Sequence, residues 1–114
     1  MLDSAQKVLD LAPDFTALSG DLVGVAGPYP DGGECDLEVR SFVVPAGINE
    51  DPVTGSLNAG LAMWLIPSGM MKDRYVASQG TILGREGRVY VEKLGEDIWV
   101  GGDVIICVDG QVTV

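Results

Sequence analysis

Residues 49–56 read NEDPVTGS, and residues 57–66, which follow directly, read LNAGLAMWLI. The first stretch is rich in residues that favour loops and helix starts, whereas the second is mostly apolar and is followed by Pro67. This pattern predicts a loop over 45–54 and a helix over 55–66. Because apolar residues occupy nearly all sides of that helix, we expect it to be buried inside the fold.

Strand-like segments surround this helix in the sequence. Residues 22–26 and 36–44 precede it, and short apolar stretches separated by turns follow it. The later strands are predicted at 75–78, 81–83, 87–94, 97–101, 104–108 and 111–114, with Asp109-Gly110 as a hairpin turn. We therefore expect an α+β fold with a single domain over 1–114, in which a barrel-like mixed sheet is wrapped around a central buried helix.

The size and charge of the chain limit what it can bind. It has 114 residues, of which 46% are apolar, and 17 acidic residues against 7 basic ones give a net charge of -10. No basic cluster could neutralise a run of phosphates, so we expect no binding to nucleic acid or to an anionic membrane. No apolar stretch approaches the roughly 20 residues of a membrane span, and the first residues carry no basic start of a signal peptide. These features favour a cytoplasmic location.

Histidine is absent from the sequence. Without it, one chain cannot build a Ser-His-Asp or Cys-His catalytic site or a histidine-ligated metal centre, and we expect no metal and no other cofactor. The two cysteines, Cys35 and Cys107, lie far apart and each has strand-like neighbours. We expect both to be buried reduced thiols rather than a disulfide.

The loop before the helix contains the residues most suited to chemistry. Unpaired backbone N–H groups and the helix dipole make a Gly55-Ser56 entrance a ready site for an anion. Pro52 favours an extended conformation at Asp51, whose carboxylate could then lie across the mouth of that site. The same residues have a purely structural interpretation, because Thr and Ser often cap helices and Asp-Pro often turns the chain.

The sequence of this loop resembles the signature of the phenazine biosynthesis PhzF-like family. The resemblance is strongest in the run Glu50 to Ser56, which reads EDPVTGS, and it covers nearly the whole chain. Other residues stand in the order that the family shows, namely Pro13-Asp14-Phe15, Val39-Arg40-Ser41-Phe42 with Pro45 and Gly47, Gln79-Gly80 and Gly84-Arg85.

This resemblance implies a diaminopimelate epimerase-like fold, which has two similar barrel domains around central helices and an active site in the cleft between them. The chain looks like the C-terminal domain of the two. In the family, the Asp and the Gly-Ser of the signature line the active site, which implies a catalytic role for Asp51 and substrate contacts for Gly55 and Ser56. Related racemases carry a cysteine at the position of Asp51, and neither Cys35 nor Cys107 stands there.

The family's catalytic glutamate belongs to the N-terminal domain, in a Ser-Glu-Thr type context, and a histidine of that domain also contributes. This sequence has neither. We therefore expect a PhzF-like isomerase or epimerase domain that supplies half of an inter-domain site for a small carboxylate metabolite and is inactive alone. The missing half would come from a separate N-terminal half or from a second copy in a homodimer. The alternative is a non-catalytic module that self-associates or binds anions.

Overall fold

The computed structural model describes residues 1–114 and contains two α-helices and one six-stranded sheet. The first helix, α1, spans Ala5–Leu9. Its N-cap is Ser4, whose hydroxyl oxygen accepts a hydrogen bond from the backbone N–H of Lys7 at 3.3 Å. Ser4 therefore caps this helix, and Val8 turns inward from it.

The sheet has the order β1-β2-β4-β5-β6, and β3 pairs with the end of β2. Strands β2 and β4 are parallel, whereas the other pairs are antiparallel. The second helix, α2, spans Gly55–Leu65 and connects β3 to β4. The strands are β1 (Val23–Pro28), β2 (Leu37–Phe42), β3 (Glu50–Asp51), β4 (Arg74–Gln79), β5 (Gly87–Leu94) and β6 (Asp97–Gly101), and short 3-10 helices occupy Val44–Ala46 and Thr81–Leu83.

The hydrophobic core lies between one face of the sheet and α2. Leu61, Ala62 and Leu65 of the helix meet Leu37 and Val39 of β2, together with apolar residues of β1, β4 and β5. Every residue of β2 is buried: α1 packs against this strand, and Leu37 and Val39 belong to the same core cluster as the apolar residues of α2. This central strand fixes the position of β3, and β3 leads into the loop before α2.

The mixed α+β architecture is confirmed, but the sheet is open. Its edge strands β1 and β6 are not paired with each other, so no closed barrel forms around α2. The expectation of a helix buried on all sides is also wrong, because the open sheet covers only one face. Met63 and Trp64 on the other face are 69% and 49% exposed.

Two groups of predicted strands are absent. Residues 81–83 form a 3-10 helix between Gly80 and Gly84, which both have positive φ angles. Residues 102–114, here called the C-terminal segment, contain no strand, so neither 104–108 nor 111–114 is paired and no Asp109-Gly110 hairpin forms. Cys107 lies in this segment and is exposed, whereas Cys35 is buried, so the expectation of two buried thiols is right for one cysteine only.

The helices are short. The longer of them, α2, has 11 residues, and neither helix has the length and apolar character that crossing a bilayer requires.

Candidate active site

Strand β3 presents two consecutive carboxylates in different environments. Its pairing with β2 places Asp51 opposite Ser41 and Glu50 opposite Phe42. Consecutive strand residues point to opposite sides, so the two side chains diverge. Glu50 forms a bidentate ion pair with Arg40, with Nε–Oε1 and Nη2–Oε2 distances of 2.8 Å each. Asp51 is therefore the carboxylate of this pair that faces the start of α2.

Asp51 is held by the residue directly before α2. Thr54 is the N-cap of α2, and its hydroxyl donates to Oδ2 of Asp51 at 2.6 Å. The same hydroxyl makes no capping hydrogen bond to the helix. The first backbone N–H groups of α2, including those of Gly55 and Ser56, therefore lack both an intrahelical partner and the usual threonine cap.

A buried glutamine from β4 fixes this arrangement. Gln79 donates through Nε2 to the carbonyl oxygen of Asp51 and to the hydroxyl oxygen of Thr54, both at 3.0 Å. Its Oε1 accepts from the backbone N–H of Thr54 at 3.1 Å and from Nδ2 of Asn58 at 2.9 Å. Because Gln79 and Asn58 are fully buried, these bonds hold the loop in one conformation.

Asn58 itself has one unused polar atom. Its Nδ2 also donates to the carbonyl oxygen of Thr54 at 2.9 Å, but its buried Oδ1 has no hydrogen-bond partner. Buried polar groups are usually paired, so this one adds a local energetic penalty within the first turns of α2.

Gly80 allows the turn after β4 to approach the loop. Its φ is +91°, and a Cβ atom there would lie 2.7 Å from the carbonyl oxygen of Pro52. Only glycine adopts this conformation without strain and also leaves that space free. The Gln79-Gly80 pair thus contacts the Asp51-Pro52 segment through both a side chain and the backbone.

The start of α2 is flanked by two small clefts. One, of about 290 Å³, is lined by Ser41, Thr54 and Ser56 together with residues of β1. The other, of about 250 Å³, is lined by Gly55 and by residues of β5 and β6. Asp51 lines neither cleft, and Gly55 and Ser56 face different ones. The structure brings the three predicted residues to the same helix start but not into one pocket.

The two cysteines do not form a thiol pair. Both are free, and they lie in different parts of the fold, with Cys35 buried and Cys107 exposed. Burial raises the pKa of the Cys35 thiol above its ordinary value, which disfavours the thiolate form. No group of three or more Cys, Asp or Glu side chains is placed to hold a metal ion.

Sequence reasoning named Asp51, Gly55 and Ser56 but gave no role in the site to Thr54, Gln79 or Asn58. Thr54 occupies the N-cap position, as the preference of threonine for caps suggests, but its hydroxyl contacts Asp51 instead of capping the helix. Gln79 stood only in a family pattern, and it reaches the loop from 25 residues further along the chain. No local spacing rule indicates such a contact, because it depends on the parallel pairing of β2 with β4.

The match to known proteins agrees with this architecture. A family model described as phenazine biosynthesis-like protein, PhzC-PhzF, matches residues 1–110, and the chain belongs to this family. An uncharacterized isomerase of Schizosaccharomyces pombe is 35% identical over 99% of this chain and 69% of its own length. An uncharacterized isomerase of Pseudomonas aeruginosa is 32% identical over 98% of this chain and 42% of its own length.

Solved structures show the same relationship. A PhzF-family phenazine biosynthesis protein from Enterococcus faecalis superposes with a TM-score of 0.65 at 32% identity, covering 89% of this chain and 38% of that one. A protein from Clostridium difficile assigned to PhzC/PhzF superposes with a TM-score of 0.70 at 25% identity, covering 99% of this chain and 43% of that one. The chain thus spans about two fifths of the length of these bacterial proteins.

Proposed function

We propose that this chain supplies half of the active site of a PhzF-like isomerase or epimerase that acts on a small carboxylate-bearing metabolite. Membership of the family and the isomerase names of its relatives support the reaction class. The chain covers only about two fifths of its bacterial relatives, which leaves room in those proteins for a second domain. We further propose a cytoplasmic location, on the sequence grounds given above.

The proposal depends mainly on the hydrogen bond between Thr54 and Asp51. Because the Thr54 hydroxyl holds the Asp51 carboxylate, it leaves the start of α2 uncapped. An ionisable carboxylate and free N–H donors then lie within one turn of each other. Such a pair suits a substrate that carries a carboxylate, with the N–H groups of Gly55 and Ser56 binding the anion and Asp51 exchanging a proton.

The proposed reaction needs a second acid-base that this chain does not supply. Moving a proton between two faces of a carbon needs an acid-base on each side. Glu50, the neighbouring carboxylate, is buried and bound by Arg40, so it cannot substitute. The second acid-base therefore belongs to another domain, either a separate N-terminal half or a partner in a homodimer.

Anion binding at α2 tests this proposal. Acetate and sulfate are titrated into isotope-labelled protein, and the amide shifts of Gly55 and Ser56 are followed, with Gly60 in the middle of α2 as the internal control. We expect the amide signals of Gly55 and Ser56 to shift saturably at millimolar anion. Anion binding should be weaker at low salt, because the net charge of -10 is then less screened and repels anions over a longer range. Equal or absent shifts at all three amides would leave only a structural role for this helix start.

A second candidate function is a non-catalytic module that self-associates or binds anions. The C-terminal segment favours it, because Val104, Ile105 and Ile106 are each at least 79% exposed. Large exposed apolar surfaces commonly mark sites of association. A homodimer is the partner arrangement that both candidate functions share.

A further inference from the structure

We propose that two copies of this chain associate by pairing residues 97–107, which comprise β6 and the first part of the C-terminal segment, antiparallel to the same residues of the second copy. The inference rests on the homodimer proposed above and assigns its surface. It is carried by an open sheet edge and by an unpaired apolar segment that continues directly from that edge.

The first observation is that β6 is an open edge. It pairs with β5 on one side and with no strand on the other. Between Ile98 and Val108 the only charged residue is Asp103. Natural proteins usually protect such an edge with charges, proline or a covering element, and those devices are missing here.

The second observation is the state of the C-terminal segment. No N–H or C=O group of residues 102–114 takes part in a backbone-backbone hydrogen bond, and no helix, turn or bend interrupts them. Their apolar side chains project into solvent, and the radius of gyration is 15.4 Å, whereas a compact domain of this length has about 13 Å. The segment therefore extends away from its own domain. Its exposed residues include Val104 at 85%, Ile105 at 87%, Ile106 at 79% and Val108 at 89%.

The chain's own sheet is a poor partner for this segment. Pairing with its own β6 needs a reversal at Gly101-Gly102, where the structure has none. Its own β1 lies at the opposite edge, four strand spacings or about 19 Å away. In addition, the N–H of Leu2 already donates to the carbonyl oxygen of Ala26 in β1, at 2.7 Å. A second copy offers the complementary edge without any of these obstacles.

Two-fold symmetry makes the pairing self-complementary. With the two-fold axis through Gly102, β6 of each copy lies beside residues 103–107 of the other, and both copies use the same surface. Trp99, which is 63% exposed, then lies directly opposite Ile105. Val100 lies opposite Val104 in the same register. Aromatic and β-branched cross-strand pairs of this kind stabilise antiparallel strands.

A lysine substitution tests the surface without touching the core. Ile106→Lys places a charge inside the pairing, opposite Ile98 of the other copy, whereas Val112→Lys adds the same charge to a similarly exposed residue beyond it. We expect light scattering to give a dimeric mass for the parent chain and for Val112→Lys, and the dimer dissociation constant to rise at least about tenfold in Ile106→Lys, because a lysine there loses solvation without gaining a partner.

Cross-linking tests the register independently. In the proposed pairing the two Gly102 residues lie opposite each other on the axis, while the two Cys107 residues are about 34 Å apart. Gly102→Cys in a Cys107→Ser background should therefore form an intermolecular disulfide on oxidation, and the parent chain should not. Cross-linking through Cys107 instead would overturn this register. A dimer that Ile106→Lys leaves unchanged would overturn the surface but keep the homodimer, and a monomeric parent chain would overturn both.

Discussion

Arg40 and Glu50 form a bidentate ion pair in which both carboxylate oxygens of Glu50 are occupied at 2.8 Å. The side chains are only 4% and 5% exposed. The Nη1 atom of Arg40 also donates to the carbonyl oxygens of Val8 and Leu11, so this one side chain joins β2, β3 and the end of α1. The pair fixes the position of β3 and thereby the place where Asp51 meets α2.

Glu50→Gln should strongly destabilise the fold. It leaves the buried guanidinium of Arg40 without its counter-charge, and breaking a buried ion pair typically costs about 3–5 kcal/mol. The free energy of unfolding, measured by urea titration, should fall by that order. Glu92→Gln is the matched control, since the side chain of Glu92 is 43% exposed and lies 3.9 Å from the more exposed Arg74, an arrangement usually worth at most about 1 kcal/mol. Similar losses in both variants would contradict this role for Glu50.

Gly80→Ala should disturb the loop around Asp51. Both Gly80 and Gly84 have positive φ, but only at Gly80 would a new Cβ meet backbone, at 2.7 Å from the carbonyl oxygen of Pro52. Gly84→Ala therefore reports conformational strain alone, which is about 1–2 kcal/mol. We expect a larger loss of stability in Gly80→Ala, together with amide shift changes at residues 51, 53 and 54 that Gly84→Ala does not produce. Equal effects would show that the close contact is relieved at no cost.

Tyr75→Phe should make the fold lose less stability at high pH than the parent chain does. Burial raises the pKa of Tyr75 to about 12 in the folded state, whereas a tyrosine in the unfolded chain titrates near 10. The folded state therefore favours the neutral phenol, and its stability falls as the pH rises from about 10 to 12. Denaturation curves measured across that range should decline less steeply for Tyr75→Phe than for the parent chain.

Tyr29→Phe is the control at neutral pH. The hydroxyl of Tyr75 is buried without a partner, so its removal should change stability by about 0.5 kcal/mol or less, or increase it. The hydroxyl of Tyr29 donates to Oε2 of Glu38 at 2.8 Å, and the other oxygen of that carboxylate has no partner. Tyr29→Phe should therefore cost about 1–3 kcal/mol. The reverse order of the two variants would show that the hydroxyl of Tyr75 is hydrogen-bonded.

Local signals in the sequence predicted the parts of the fold that depend on neighbouring residues. The strand around Val39 and the helix that begins at Gly55 both appear where residue type and spacing indicate them. The opposite directions of Glu50 and Asp51 follow from strand alternation alone. For this reason the candidate site could be placed at the start of α2 before its geometry was known.

Long-range pairing could not be predicted in the same way. Residues 104–108 have the composition of a strand, but a strand needs an adjacent partner, and the chain offers none at that edge. The exposure of Met63 and Trp64 also depends on long-range pairing, because an apolar helix is buried on all sides only if the sheet closes around it. Gln79 shows the converse, since a contact across 25 residues defines the loop although no local pattern indicates it.

The chain alone should not exchange a proton on a PhzF-type substrate. Asp51 is one potential acid-base, while Glu50 is engaged by Arg40 and the sequence has no histidine. The absence of a positioned acid-base typically costs about 10²–10⁴ in rate, and loss of the cleft geometry adds to that deficit. Incubation with a panel of small amino and hydroxy acids in deuterated water should therefore give no incorporation above background, as measured by mass spectrometry.

Two aspartate variants complete this test. Asp51→Asn removes the proposed acid-base, and Asp21→Asn changes the same functional group at an exposed residue outside the site. If the parent chain and Asp21→Asn incorporated deuterium while Asp51→Asn did not, this chain would hold a complete catalytic site. The proposal that a second domain is required would then be wrong. Background incorporation in all three, together with anion-dependent shifts at Gly55 and Ser56, is the result expected of half a site, because this chain then binds the anion but lacks the second acid-base.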